Sequence, residues 1–160
     1  MKRLVVALSA VGLMFSVAFA GAGSASAAPL QILQTSSTTF GTFGDHSFCR
    51  GALSVRWQSV PNKRGVVRVT ATSHGFGGDG ATWKRNPKCR VLLLTQTTSI
   101  RGLYVQKWVP ASFGPRRGIA KSWDVMTGSG FANIAVMPYS ANGPVPLRQG
   151  YGAGANMIVP

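Results

Sequence analysis

The feature that most limits what this chain can fold into is an alternation of apolar and polar residues over short segments. Residues 53–58 and 67–72 alternate in this way. A period of two places one face of a β-strand in a core and the other face in solvent. After residue 27, no segment keeps the 3.6-residue period of a helix for ten residues, and Gly and Pro interrupt the chain often. The pattern predicts strands joined by turns.

Seven or eight short strands are predicted. Residues 91–94 are apolar on both faces and predict the central, most covered strand, whereas 119–126 and 131–137 predict a hairpin. Short strands at this spacing without helices indicate an all-β fold, an antiparallel β-sandwich. Residues 28–40 are polar and uncharged, which predicts an extended leader with at most one edge strand. Residues 41–160 are then a single β-sandwich domain.

The first 27 residues have the pattern of an export signal. Two cations precede an apolar run, and small residues follow it up to Ala27. The pair Ala25-x-Ala27 fits signal peptidase, so cleavage is predicted before Ala28, with cleavage before Gly21 as the alternative. Residues 1–27 are therefore predicted to be a removed signal peptide. The remaining chain, without a transmembrane segment, is expected to be secreted or associated with the cell envelope. The Ala/Gly-rich composition is typical of a high-GC bacterium.

Cys49 and Cys89 are the two cysteines of the chain. In an oxidising compartment, such a pair in a small domain predicts one disulfide, with a free or intermolecular thiol pair as the alternative. Strand parity places both side chains on core-facing sides, so the bridge is expected to join two sheets. In architecture alone, the chain resembles small immunoglobulin-like secreted domains, although no signature motif identifies a family.

Charge is the second strong feature. The formal net charge is +14, and Asp45, Asp79 and Asp124 are the only acidic residues. Three carboxylates cannot neutralise so many cations, and the surface is expected to attract polyanions. The expected partner is an anionic cell-envelope polymer, an acidic lipid surface or an acidic protein, and not intracellular nucleic acid. The alternative is that the excess charge only maintains solubility.

Predicted turns carry much of this charge. If the strands run up and down in order, two basic turns share one end of the sandwich, with Arg148 nearby and with Lys63, Arg64 and Arg101 at the other end. Arginine binds phosphate, sulfate or carboxylate in pairs of hydrogen bonds, and aromatic rings beside it stack on ligands. The candidate anion-binding residues are Lys84, Arg85, Lys88, Arg116 and Arg117. Their predicted aromatic neighbours are Trp83, Phe113 and Tyr151.

Motifs for cofactors and catalysis are sparse. Residues 75–80 match G-x-G-x-x-G, but Pro87 follows closely, so a flexible loop is predicted and no cofactor. His46 and His74 have no H-E-x-x-H or short His-x-His spacing to fix a metal, so no metal site is predicted. Three scattered aspartates do not make a carboxylate pair for glycoside hydrolysis. No catalytic residue is predicted.

The leading hypothesis is a non-enzymatic secreted binding module for an anionic partner. The alternative is a secreted toxin, of bacteriocin type, or an inhibitor. A third hypothesis is a secreted hydrolase, which would place His46 or His74 within hydrogen-bonding reach of an aspartate and a serine. The sequence identifies neither the ligand nor the oligomeric state.

Overall fold

Two antiparallel β-sheets pack around one apolar core in the computed structural model, which describes residues 29–160. The five-stranded sheet has the order β1 (Gln31–Ser37), β9 (Ala153–Val159), β8 (Gly130–Tyr139), β5 (Cys89–Ser99) and β6 (Tyr104–Phe113). The four-stranded sheet has the order β2 (Thr39–Phe43), β3 (Arg50–Val60), β4 (Lys63–Gly77) and β7 (Ala120–Met126). The all-β, sandwich-like prediction is confirmed. The described residues form nine strands, where seven or eight were predicted. The predicted signal peptide 1–27, with Ala25 and Ala27, and the residue after its cleavage point, Ala28, lie outside them.

Alternation determines which side chains form the core. On β3, Leu53, Val55 and Trp57 are buried while the residues between them face outward. Trp57 lies opposite Val69 on β4, which is also buried. Burial of such side chains removes apolar surface from water, and this is the main favourable term in folding.

Strand β5 is buried on its inner face but covered on its outer face only around Leu94, and it is not the central strand. Leu93 points into the core, and the outward Leu94 is also buried. Leu94 is paired with Trp108 of β6 on one side and with Met137 of β8 on the other. The middle strand is β8, because β9 and β1 extend the sheet beyond it.

The predicted hairpin of residues 119–126 and 131–137 is wrong. Strand β7 pairs with β4 in one sheet, and β8 pairs with β5 and β9 in the other. The connection between them crosses from sheet to sheet. The N–H groups of Thr127 and Gly128 both donate to the Gly65 carbonyl, at 2.8 and 3.1 Å, which fixes the crossing.

One short helix, α1 (Gly80–Arg85), corrects the expectation that the chain after residue 27 has no helix. It has six residues, too few to produce an apolar period, and it buries no side chain. The G-x-G-x-x-G segment, predicted as a flexible loop, is the end of β4 followed by the start of α1. Gly75 has a φ of +97°, and a Cβ there would lie 2.7 Å from the Pro115 carbonyl oxygen, so this glycine serves close packing.

The predicted leader, residues 28–40, contains all of β1 and the start of β2. Both strands lie at sheet edges, and β1 and β2 belong to different sheets. The chain crosses between the sheets at Thr38, whose carbonyl accepts a hydrogen bond from Val55 N–H at 2.7 Å. Uncharged Ser and Thr suit such half-exposed edge positions.

The disulfide between Cys49 and Cys89 is present, with an S–S distance of 2.04 Å and both residues buried. It joins the residue before β3 to the first residue of β5 and therefore links the two sheets. A second link between the sheets is the 2.9 Å hydrogen bond that Trp123 Nε1 donates to Thr95 Oγ1. Within residues 29–160, no helix is long and apolar enough to cross a bilayer.

Candidate functional site

Four connections meet at one end of the two sheets, which we call the basic end. They are residues 44–49, 78–88, 114–119 and 140–152. Two hydrogen bonds join neighbouring connections, Asp79 N–H to the Ser47 carbonyl and Asn142 Nδ2 to the Asp45 carbonyl, and a third joins Phe76 N–H, near the end of β4, to the Gly114 carbonyl. The opposite end, the far end, consists of the β3–β4 and β5–β6 turns and residues 127–129. There, Arg101 Nε donates to the Ser129 carbonyl at 3.3 Å.

The two predicted basic segments lie at the same end. Lys84, Arg85 and Lys88 belong to the segment of α1, and Arg116 and Arg117 to the β6–β7 connection. These two segments touch, because a Cβ at residue 114 would lie 2.9 Å from the carbonyl oxygen of residue 87. All five cations are exposed. The five cations are therefore solvent-accessible at one end of the molecule.

The ion pairs of the described residues do not include any of these five cations. Within residues 29–160, each of the three aspartates pairs with an arginine elsewhere: Asp45 with Arg90 at 2.6 Å, Asp79 with Arg50 at 3.0 Å, and Asp124 with Arg68 at 2.7 Å. None of the five candidate cations forms an ion pair with a described residue. Asp45 and Asp79 lie at the basic end too, but each is matched by an arginine outside the five, so the five candidate cations leave this end with a net positive charge.

The three predicted aromatic neighbours have different surroundings. Phe113 is 1% exposed and stacks on Phe76 with ring centroids 5.5 Å apart, so its predicted place beside a ligand is wrong. Its position in β6 faces the core, which the apparent turn sequence obscured. Trp83 is half-buried and packs against the core. Tyr151 is 93% exposed and is available for contact.

Two further exposed aromatic residues escaped the sequence prediction. Phe48 is 69% exposed, and its ring centroid lies 5.3 Å from that of Phe43. The guanidinium of Arg50 lies 5.6 Å from the centre of the Phe48 ring, which is a cation–π distance. The signal in the sequence was a phenylalanine in a polar turn, directly before a core cysteine.

The backbone of this turn holds Phe48 outward. Ser47 and Phe48 have φ values of 53° and 52°, in the left-handed region that a bulky side chain rarely adopts. Cys49 N–H donates to the His46 carbonyl at 2.9 Å, and Gly44 N–H to the Cys49 carbonyl at 2.8 Å. The disulfide anchors the same turn. Such strain persists only where the surrounding structure imposes it.

A hydrogen-bonded network stabilises the base of this turn. Asp45 accepts from Arg90 and from His46 Nδ1, the latter at 2.9 Å. Burial alone would raise the pKa of the Asp45 carboxyl, but the bonds from Arg90 and His46 outweigh it and lower the pKa to about 2. The bond to Asp45, followed by the bond to the Asn86 carbonyl, raises the pKa of His46. Both ring nitrogens face acceptors, so the doubly protonated imidazolium satisfies both.

Stability is expected to depend on pH through this network. The lowered pKa of Asp45 contributes roughly 1–2 kcal/mol, present above about pH 4 and lost as the pH falls towards 2. The raised pKa of His46 contributes below about pH 6.5, and this contribution is lost as the pH rises through the folded pKa. Urea midpoints are therefore expected to be highest between about pH 4 and 6.5. In Asp45→Asn the alkaline decline should shrink to the part due to the Asn86 carbonyl, and the acid decline should shrink to the part due to Asp124, whose pKa Arg68 lowers. A pH profile parallel to that of the wild type would contradict this assignment.

The hydrolase hypothesis finds no assembled triad in residues 29–160. His74 Nε2 forms a hydrogen bond with Ser54 Oγ on the outer face of the four-stranded sheet. Every described aspartate pairs elsewhere, so this Ser–His pair has no carboxylate behind it. His46 has Asp45, but its other ring nitrogen bonds the Asn86 carbonyl at 3.1 Å instead of a serine.

One grouping of possible metal ligands occurs in the described residues: Asp45 with Cys49 and Cys89. Both sulfurs are in the disulfide and therefore are not thiolates. Arg90 and His46 already occupy the carboxylate oxygens. The grouping does not fit a metal.

The outer face of the five-stranded sheet has a different character. From Leu92 to Thr98, the outward residues of β5 and their partners on β6 are uncharged. Gln106 Nε2 donates to Tyr104 Oη at 2.6 Å on this face. Trp108 lies on this face and is 43% exposed. This stretch of the outer face therefore contributes no charge, unlike the outer face of the four-stranded sheet, where Arg56 and Arg68 are exposed.

No family model, curated protein or solved structure matches this chain.

Proposed function

We propose that this protein is a non-enzymatic, exported β-domain that binds an anionic partner through the basic end. The observation that carries the proposal is the contact between two basic segments whose five cations have no described carboxylate partner. The partner classes are an envelope polymer bearing phosphate or carboxylate, an acidic lipid surface and an acidic protein.

Binding on this proposal has two stages. Uncompensated cations attract a polyanion over about 8 Å, the Debye length at physiological salt. At contact, Arg85, Arg116 and Arg117 each offer a planar set of donors that matches two oxygens of a phosphate or carboxylate. The lysines add charge without that geometry. Affinity is therefore expected to fall steeply with added salt.

Export is part of the proposal. The apolar N-terminal run with its Ala25-x-Ala27 site supports a signal peptide, and the disulfide suits an oxidising compartment. The bacterial origin follows from composition alone. The finer description of the fold as immunoglobulin-like is supported by two antiparallel sheets that a disulfide joins.

The proposal predicts that charge reversal weakens binding only at the basic end. The variant is Lys84→Glu, Arg85→Glu, Arg116→Glu and Arg117→Glu. Its affinity for long-chain inorganic polyphosphate, measured by titration calorimetry at low salt, is expected to fall about 100-fold or more, because each cation near an anionic surface contributes about 1 kcal/mol.

The matched control changes the net charge equally at the far end and on the outer face of β3. It is Arg56→Glu, Lys63→Glu, Arg64→Glu and Arg101→Glu. This variant should lose less than about 10-fold in affinity, through the change in net charge alone. Equal losses in the two variants would mean that total charge, not the basic end, determines binding.

The exposed rings of Phe43, Phe48 and Tyr151 favour a second candidate, a secreted toxin that acts on anionic membranes. Release of a dye trapped in anionic vesicles separates the two functions. A toxin releases the dye at concentrations where the protein covers the vesicles, whereas a binding module covers them without release.

A further inference from the structure

Exposed apolar side chains lie among the cations of the basic end. Phe48 and Tyr151 are 69% and 93% exposed, and Val145 and Leu147 are 64% exposed each. Phe43 lies beside Phe48. Burial of such groups in water-free surroundings is favourable, and clusters of them on a soluble protein mark an interaction surface. We call Phe43, Phe48 and Tyr151 the aromatic tips.

The aromatic tips border one another. Phe43, Arg50 and Tyr151 line the same groove, together with Gln149. Phe43, Phe48 and Gln149 line the adjoining groove. The tips therefore form a continuous surface, although they come from strand β2, the β2–β3 turn and the β8–β9 connection.

Cations surround this surface on two sides. Arg50 contacts the Phe48 ring, and Arg148 donates from its side chain to the carbonyls of Gly150 and Tyr151. On the other side, the β2–β3 turn packs on the segment of α1, where His46 and Trp83 have ring centroids 6.1 Å apart. That segment carries the first three candidate cations.

The chemistry of the combined surface distinguishes between the anionic partners. A soluble phosphate polymer satisfies the cations but offers nothing apolar to the three rings. A bilayer of anionic lipids offers phosphate oxygens to the cations and, immediately beneath them, an apolar layer to the rings. Aromatic side chains concentrate at that interface because they are apolar with a polar or polarisable edge.

We infer that the partner of the basic end is an anionic lipid bilayer, into whose headgroup layer the aromatic tips insert. This inference rests on the proposed function and specifies its partner. The cations hold the lipid phosphates, and the rings enter to about 5–10 Å, the depth of an interfacial anchor. The left-handed backbone at Phe48 holds its ring in solvent before the protein meets the bilayer, so the β2–β3 turn does not have to change conformation on binding.

The test measures co-sedimentation of the full-length exported protein with vesicles of 30% phosphatidylglycerol in phosphatidylcholine, and separately its binding to polyphosphate. The variant Phe48→Ser/Tyr151→Ser is expected to bind the anionic vesicles at least 10-fold more weakly and to keep its affinity for polyphosphate. Vesicles of phosphatidylcholine alone are expected to bind neither protein.

The control is Ile100→Ser/Met126→Ser, which removes two side chains of similar exposure, 73% and 66%, at the far end. Its vesicle binding should equal that of the wild type, and urea midpoints verify that both variants are folded. If the wild type binds polyphosphate but not the anionic vesicles, the lipid inference is wrong and the proposed function stands. If it binds neither, both are wrong. If the aromatic variant binds vesicles as the wild type does, insertion is refuted.

Discussion

Loss of the disulfide is expected to lower the free energy of unfolding by about 4 kcal/mol in the variant Cys49→Ala/Cys89→Ala. The bridge closes a loop between residues that are 40 positions apart in the sequence. Without the bridge, the unfolded chain gains conformational entropy because this loop is no longer closed. It also unlinks the two sheets beside the basic end. The free energy of unfolding of small domains is about 5–15 kcal/mol, so this loss is a large fraction of it.

Urea unfolding followed by tryptophan fluorescence measures this loss. The wild type in reducing buffer should show the same midpoint as the double variant, while the variant should not respond to reductant. An unchanged midpoint in wild type whose two thiols have been titrated as free would contradict the expected contribution.

Truncation of the buried Trp123 is expected to cost about 3–5 kcal/mol in Trp123→Ala. The side chain is 7% exposed and contributes to the core. Its removal leaves a cavity. It also removes the N–H group that donates to Thr95 Oγ1, and Thr95 is fully buried, so no water replaces that donor. An unsatisfied buried hydroxyl adds to the cost.

Trp108→Ala is the matched control, because the same atoms are removed from the outer face. Trp108 is 43% exposed and packs edge-on against Tyr139, at 5.1 Å between ring centroids. A loss of about 1–2 kcal/mol is expected there. Equal losses in urea unfolding at the two sites would mean that the core does not depend on Trp123 as described.

Much of the fold could be predicted because successive side chains of a strand point to opposite faces, so an alternation of apolar and polar residues marks the buried face. The two-residue periods in β3 and β4 identified the core faces, and strand parity placed Cys49 and Cys89 on them. The strands with which β7 and β8 pair could not be predicted in this way. A glycine-rich connection that crosses between sheets has the same local sequence as a hairpin turn, and the deciding bond, from Thr127 to the distant Gly65 carbonyl, is not local.

The candidate site was predictable in part. Turns have to be exposed, so the cations of 84–88 and 116–117 were found from the sequence. Phe113 was misplaced because Gly and Pro follow it directly and make the end of β6 look like a turn. Phe48 was missed because its exposure depends on a left-handed backbone that the disulfide and nearby hydrogen bonds impose, and a phenylalanine in a polar turn does not by itself indicate that backbone.

The pairing of Asp45 with His46 has a consequence for the environment in which the protein works. His46 is the only imidazole among the described residues of the basic end, and the carboxylate keeps it protonated to a higher pH than a free histidine. Mild acidification therefore adds little charge at this end. Ions in the medium, in contrast, shorten the reach of every cation there. On the proposed function, binding at the basic end is therefore expected to respond strongly to the salt concentration and only weakly to mild acidification.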